Sequence, residues 1–135
     1  MADGNGSYIA RIVENISDIS AKDWDSLAGN ANPFVSHAFL SAIEETGCAT
    51  QQTGWLPHHL IIEDESNKII AASPLYIKSH SQGEYVFDHG WAHAWEQAGG
   101  SYYPKMQVSI PFSPITGPRL LTNDQDLTGT SKLSL

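Results

Sequence analysis

Residues 58–78 constrain the fold more than any other stretch of this chain. His-His-Leu-Ile-Ile-Glu (58–63) is a β-prone run, Asp64, Glu65, Ser66 and Asn67 form a turn cluster, and 68–78 is a second β-prone run. The pattern predicts a β-hairpin. Pro74 interrupts its second arm, and because proline has no N–H to give to a ladder, it predicts an edge position or a bulge there. Any fold for this chain must accommodate a broken hairpin.

Helical signals precede the hairpin. Ser20 is placed to cap the N–H of Asp23; Trp24, Leu27 and Ala28 share one face, and Gly29 stops the helix. Asn32-Pro33 opens a second helix in which Val35, Ala38, Phe39, Ala42 and Ile43 recur at helical spacing up to Gly47. Residues 8–13 read as a first strand, 48–57 as a loop, 83–88 as a third strand, 91–97 as a short helix ended by Gly99-Gly100, and 106–112 as a strand. Arg119-Leu120-Leu121 begins another strand. This order is mixed α/β, and it looks unfinished, because no partner helix follows the last strand signal.

With 135 residues there is room for one domain: a loose tail over 1–7, a lobe over 8–121, and a polar tail over 122–135 that reads as a truncated end. The net charge of −8 opposes binding to a nucleic-acid backbone or an anionic membrane. The only cysteine, Cys48, excludes an internal disulfide and has no neighbour in sequence that would activate it. No secretory leader is apparent, and no apolar run reaches the ~20 residues of a membrane helix. A cytoplasmic protein is the default expectation.

Residues 79–105 hold three of the six histidines and two of the four tryptophans, together with Glu84, Asp88, Glu96, Tyr102, Tyr103 and Lys105. Segments this rich in both aromatic and titratable groups bind polar ligands or move protons. Glu84, Asp88 and His89 are the candidate catalytic groups, being the right types to take a proton from an amine; structural hydrogen bonding at a strand end is the alternative for the two carboxylates. Lys78, Lys105 and Arg119 are candidates for holding a carboxylate or phosphate. Trp91 and Tyr102 suit stacking on a sugar or peptide, and His80 and His93 complete the candidate substrate-binding set. His89 and His93, four apart on a helix, can face one metal with Asp88 or Glu84, but Gly90 stands where a zincin helix has glutamate, and no metal site is assigned. His58 and His59 point to opposite faces of a strand, His37 is expected to bond locally, and Ser79 and Ser81 beside His80 define no triad.

Several long motifs carry a resemblance. Asn-Pro-Phe-Val-Ser-His-Ala-Phe-Leu (32–40), Ser-His-Ser-Gln-Gly-Glu-Tyr-Val-Phe-Asp (79–88), Gly-Trp-Ala (90–92), Ala-Gly-Gly (98–100), Tyr-Tyr-Pro-Lys (102–105) and Pro-Phe-Ser-Pro-Ile-Thr-Gly-Pro-Arg-Leu-Leu (111–121) resemble a bacterial family of N-acyltransferases similar to the FemAB proteins and labelled peptidoglycan biosynthesis or recognition proteins. The resemblance spans residues 8–121. It implies a GNAT-like fold, a mixed and mostly antiparallel central sheet flanked by helices, of which this chain carries the N-terminal part. It also implies transfer of an acyl or aminoacyl group to an amine on a small molecule or cell-wall precursor, with acyl-CoA or aminoacyl-tRNA as donor. The acyl-CoA loop of GNAT proteins, Gln/Arg-x-x-Gly-x-Gly/Ala between a strand and a helix, is approached by Gln51-Gln52-Thr53-Gly54-Trp55-Leu56 and by Gln97-Ala98-Gly99-Gly100-Ser101-Tyr102, and each fails at its last position. No cofactor is therefore assigned to this chain. The other readings are a non-catalytic peptide- or glycan-binding lobe and an inactive fragment, which can self-associate through an exposed sheet edge.

Overall fold

The computed structural model describes residues 6–123. The first five residues, and positions 124–135 of the tail expected over 122–135, lie outside them. The described chain is mixed α/β, with three helices and two antiparallel sheets. Strand β1 (Ile9–Val13) leads to helices α1 (Ala21–Ala28) and α2 (His37–Glu45). Strands β2 (Trp55–Pro57), β3 (His59–Glu63), β4 (Ile69–Ser73) and β5 (Leu75–Lys78) follow, then helix α3 (His89–Gln97), β6 (Lys105–Val108) and β7 (Leu121–Thr122).

The broken hairpin organises everything. Its first arm runs through β2 and β3, its second through β4 and β5, and the breaks fall at His58 and Pro74. The His58 N–H still donates to the Leu75 carbonyl at 2.9 Å, so pairing carries across the break. Beyond it each half of the hairpin recruits different neighbours. The outer half joins β1 and β7 in the order β1-β3-β4-β7, while the inner half joins β6 in the order β2-β5-β6. One central sheet was expected; Pro74 splits it in two, because its ring removes a ladder donor where the strand must bend. Residues 55–57, read as loop, supply β2 for the same reason.

Local signals set the helices. The Ser20 hydroxyl accepts from Asp23 N–H at 3.1 Å and caps α1, which ends at Gly29 with φ +69°. The second helix starts later than its apolar spacing predicts. Asn32 accepts from Phe34 N–H, residues 33–35 make a single 3-10 turn, and Ser36 is the true cap, accepting from Phe39 N–H at 3.2 Å. At the hairpin tip Asp64 accepts from the Ser66 and Lys68 N–H groups, as its turn composition requires.

The main core packs α1 and α2 on the four-stranded sheet through Val13, Ile16, Trp24, Val35, Leu40, Ile61 and Leu121. Trp24 is the hub: fully buried, it donates its indole N–H to the Val35 carbonyl at 2.8 Å and locks α1 to the turn before α2. A smaller core of Ala49, Trp55 and Tyr76 sits on the three-stranded sheet, and Ile43 joins the two. His37 bonds locally as expected, its Nδ1 to the Ser41 hydroxyl at 3.2 Å, while its Nε2 also meets the distant Ile16 and Ile19 carbonyls. The Trp24→Phe variant leaves the Val35 carbonyl buried without its donor. It should lower unfolding free energy by about 1–3 kcal/mol in a urea titration, with the slope unchanged.

Candidate functional site

The register of the second sheet places Lys78 of β5 directly opposite Lys105 of β6. Like charges facing each other across a ladder repel, so this pair needs an anion between its members. Glu84 provides it. One carboxylate oxygen lies 3.6 Å from Lys78 Nζ and the other 2.8 Å from Lys105 Nζ. Gln107, two residues from Lys105 on the same strand face, also reaches Glu84: with its amide oriented so that nitrogen donates, it lies 2.9 and 3.0 Å from the two carboxylate oxygens, and its oxygen accepts from Ser109.

Lys105 is the outer end of this arrangement. Besides Glu84 it donates to Asp88 at 2.5 Å and to the Ser81 hydroxyl at 2.9 Å. Tyr102 donates to the same Asp88 oxygen at 2.8 Å, and the Ser81 and Tyr103 hydroxyls share a hydrogen bond of 2.6 Å. The Asp88 carboxylate, first residue before α3, is thus turned to Lys105 rather than capping the helix. Lys78 is the inner end. It is wholly buried, its ammonium stands 3.7 Å from the centre of the Trp55 ring, and it donates to the Gln82 carbonyl at 3.2 Å. Charges alternate along the row: Lys78, Glu84, Lys105, Asp88.

The environments push proton affinities apart. Burial draws Lys78 down to about 8, against the opposing attraction of Glu84. Burial acts on Asp88 too, but hydrogen bonds from Lys105, Ser81 and Tyr102 outweigh it and hold the carboxyl well below the usual carboxylate range. Burial likewise opposes the Lys105 charge, and its bonds to Asp88 and Glu84 raise its affinity regardless. Donation to Asp88 raises the Tyr102 phenol.

The segment carrying these acids is not the strand its composition suggests. Residues 83–88 form a loop, with Gly83 at φ +77° and Tyr85 at φ +58°, so the chain turns rather than extends. The pull of Lys105 on Glu84 and Asp88, and the Phe112 N–H donated to the Gly83 carbonyl at 3.1 Å, set this shape. A Cβ at Gly83 would come within 2.8 Å of the Phe112 ring. The strand expected over 106–112 stops at Val108 as β6, since Phe112 is itself left-handed at φ +60° and the chain turns there.

The structure therefore brings together Lys78, Glu84, Asp88, Tyr102 and Lys105. Two partners escaped the sequence reading, Trp55 and Gln107; Tyr103 enters it only among the aromatics of the run, and Ser81 only as a neighbour of His80 that makes no triad. Gln107 was accessible from the two-residue period of β6; Trp55 was hidden by reading 48–57 as loop. His89 lies beside Asp88 and lines a cleft of about 400 Å³ with Ser81, Gln82, Gly83, Tyr85, Val86 and Phe87. His80 binds structure instead of open space: its Nε2 meets the Thr53 carbonyl at 2.8 Å and its Nδ1 accepts from Gln82 N–H. The close approach of His80 to Gly54, at φ +76°, leaves no room for a side chain there. Arg119 closes its own loop on the carbonyls of Ile115, Gly117 and Pro118 and makes no bond to the charge row. Trp91, 76% exposed, and the exposed His93 lie on α3 on either side of the buried Ala92. Among the described residues no group of three His, Cys, Asp or Glu can hold a metal ion.

A second buried pair was also missed. His59 Nε2 lies 2.7 Å from Glu44, whose other oxygen accepts from Ile16 N–H. It ties α2 to β3 and edges against Tyr76 and Trp24. A larger open concavity, about 630 Å³, lies at Gly29–Pro33; its only titratable lining group, Asp25, is bonded to His37 N–H.

A mixed α/β lobe whose antiparallel sheet carries a lysine–carboxylate row beside an aromatic cleft is the class of protein these observations define. Residues 15–134 match the FemAB-like family, described as peptidoglycan biosynthesis/recognition, and the chain belongs to that family. No curated protein and no solved structure matches it. Among the described residues no helix is long and apolar enough to cross a membrane.

Because Asp88 binds its proton more weakly folded than unfolded, it stabilises the fold fully above the ordinary value of 3.8, and that contribution is lost as pH falls through its lower folded value. The urea midpoints of wild type and Asp88→Asn should differ by a constant amount from pH 7 to about 5 and converge below about pH 4. A gap that widens on acidification would contradict this assignment.

Proposed function

We propose that this chain carries the acceptor side of an N-acyltransferase acting on an amine of a peptidoglycan precursor. Family membership supports the cell-wall context. The observation that carries the reading is the row Glu84–Lys105–Asp88 at the edge of the cleft, where an ionised carboxylate is held next to an ammonium and the Tyr102 phenol. Such a row recognises a zwitterionic group. Asp88 suits the ammonium of the acceptor, and Lys105 suits a carboxylate of the peptide stem. Asp88, held so firmly ionised, is a weak proton acceptor, so its role is to bind and orient the amine; His89, at the cleft wall, is the group placed to take the proton as the amine attacks the acyl carbon. The family resemblance adds GNAT-like architecture and a bacterial setting to this proposal, and the default expectation from the sequence adds a cytoplasmic one.

The donor implied by the family is acyl-CoA or aminoacyl-tRNA. Acyl-CoA needs backbone N–H groups at a helix N-terminus to hold its pyrophosphate. The two near-matching sequences do not fit: residues 51–56 lead into strand β2, and 97–102 follow the C-terminal end of α3, where carbonyls rather than N–H groups are presented.

A second reading, a binding lobe that recognises a glycan or peptide and transfers nothing, is favoured by the exposure of Trp91 beside Trp95, four residues apart on α3. Amide NMR of the chain titrated with a stem peptide bearing a free amine separates the two. The acceptor reading expects shifts at Ser81, Asp88, His89 and Tyr102, and at least tenfold weaker binding by Asp88→Asn. Shifts confined to α3 around Trp91, unchanged in Asp88→Asn, would replace it with the binding-lobe reading.

A further inference from the structure

We propose that Lys78 is a positioning residue, a proton-operated latch that holds the loop bearing Glu84 and Asp88 in the geometry of the candidate site. This goes beyond the acyl-transfer reading and is tested without any substrate, so the two can fail separately.

The geometry is specific. Lys78 closes β5, and the loop that follows folds back over its ammonium. Three contacts converge on Nζ: the Gln82 carbonyl at 3.2 Å, Glu84 at 3.6 Å and the Trp55 ring at 3.7 Å. Two of the three depend on positive charge. A neutral amine keeps a hydrogen bond to Gln82, but it loses the ion pair with Glu84 and the attraction to the ring quadrupole. Lys78 has no exposed surface, so water cannot replace what is lost. Glu84, in turn, touches both lysines, so loss of the Lys78 charge leaves it held by Lys105 and Gln107 alone.

The groups facing Lys78 are few. From the loop come Glu84, Asp88 and the Gln82 carbonyl; from β6, Lys105; from β2, the Trp55 ring. Burial is the largest influence on its proton and brings its midpoint to about 8, within reach of ordinary solution conditions. Below that pH the ammonium holds the loop; above it the hold weakens. The other titratable groups bonded to this loop are His80, through the Gln82 N–H, and Lys105, Tyr102 and Tyr103, through Ser81, Glu84 and Asp88.

The test follows Lys78 Cε and the amides of Gln82, Gly83 and Glu84 by NMR from pH 6 to 10, with His80 read on its own ring carbons. The loop amides and the Trp55 indole N–H should move together with Lys78, with a midpoint near 8. In Lys78→Met they should sit near the wild-type high-pH positions at every pH. In Lys78→Arg, which keeps its charge throughout, they should hold near the low-pH positions. Loop amides that do not track Lys78, or that show the same inflection in Lys78→Arg, would overturn the proposal. The arginine variant preserves the ion pair and decides the matter if the methionine variant does not fold.

Discussion

Glu84 standing between Lys78 and Lys105 is the interaction on which the site depends. The register of β5 against β6 sets the two lysines face to face. Left alone they would repel across the ladder, and one of them is fully buried. Glu84 satisfies both, and to reach them the chain after β5 must fold back over the sheet. That return fixes the loop, places Asp88 on Lys105 and sets where α3 begins. A single carboxylate thereby couples strand pairing to the shape of the cleft. Its charge is compensated on both sides, which is the condition for keeping an ion pair away from water.

Pro74 is the other half of the account. A continuous second arm would extend one sheet; the break at Pro74 and His58 lets the hairpin change partners along its length. The outer half meets α1 and α2 and makes the main core. The inner half meets β6 and carries the polar row. Stability and chemistry are thus assigned to different halves of one hairpin. The buried His59–Glu44 pair sits at the junction, tying the helical layer to the strand that crosses it.

What was legible in the sequence followed from short-range rules. The Ser20 cap, the stops at Gly29 and Gly47, and the Asp64 turn each depend on residues within four positions, and each is in the structure. The family was legible too, because its motifs are long. What failed depended on distant partners. Residues 83–88 have strand composition, yet Lys105, some twenty residues on, sets their conformation. His80 looks like a ligand-binding group, yet its Nε2 meets the distant Thr53 carbonyl; Arg119 is the local exception, bonded to carbonyls within four residues of it. Trp55 and Gln107 became site residues only when register put them beside Lys78 and Glu84.

The most direct test of this account is a double-mutant cycle of Glu84→Gln and Lys105→Met, read as unfolding free energy at neutral pH. If Glu84 organises the row through Lys105, the two changes are not additive and show a coupling of about 1–3 kcal/mol. Additivity within about 0.5 kcal/mol would mean that the two side chains stabilise the fold independently, and the claim that one carboxylate links strand register to the cleft would be wrong.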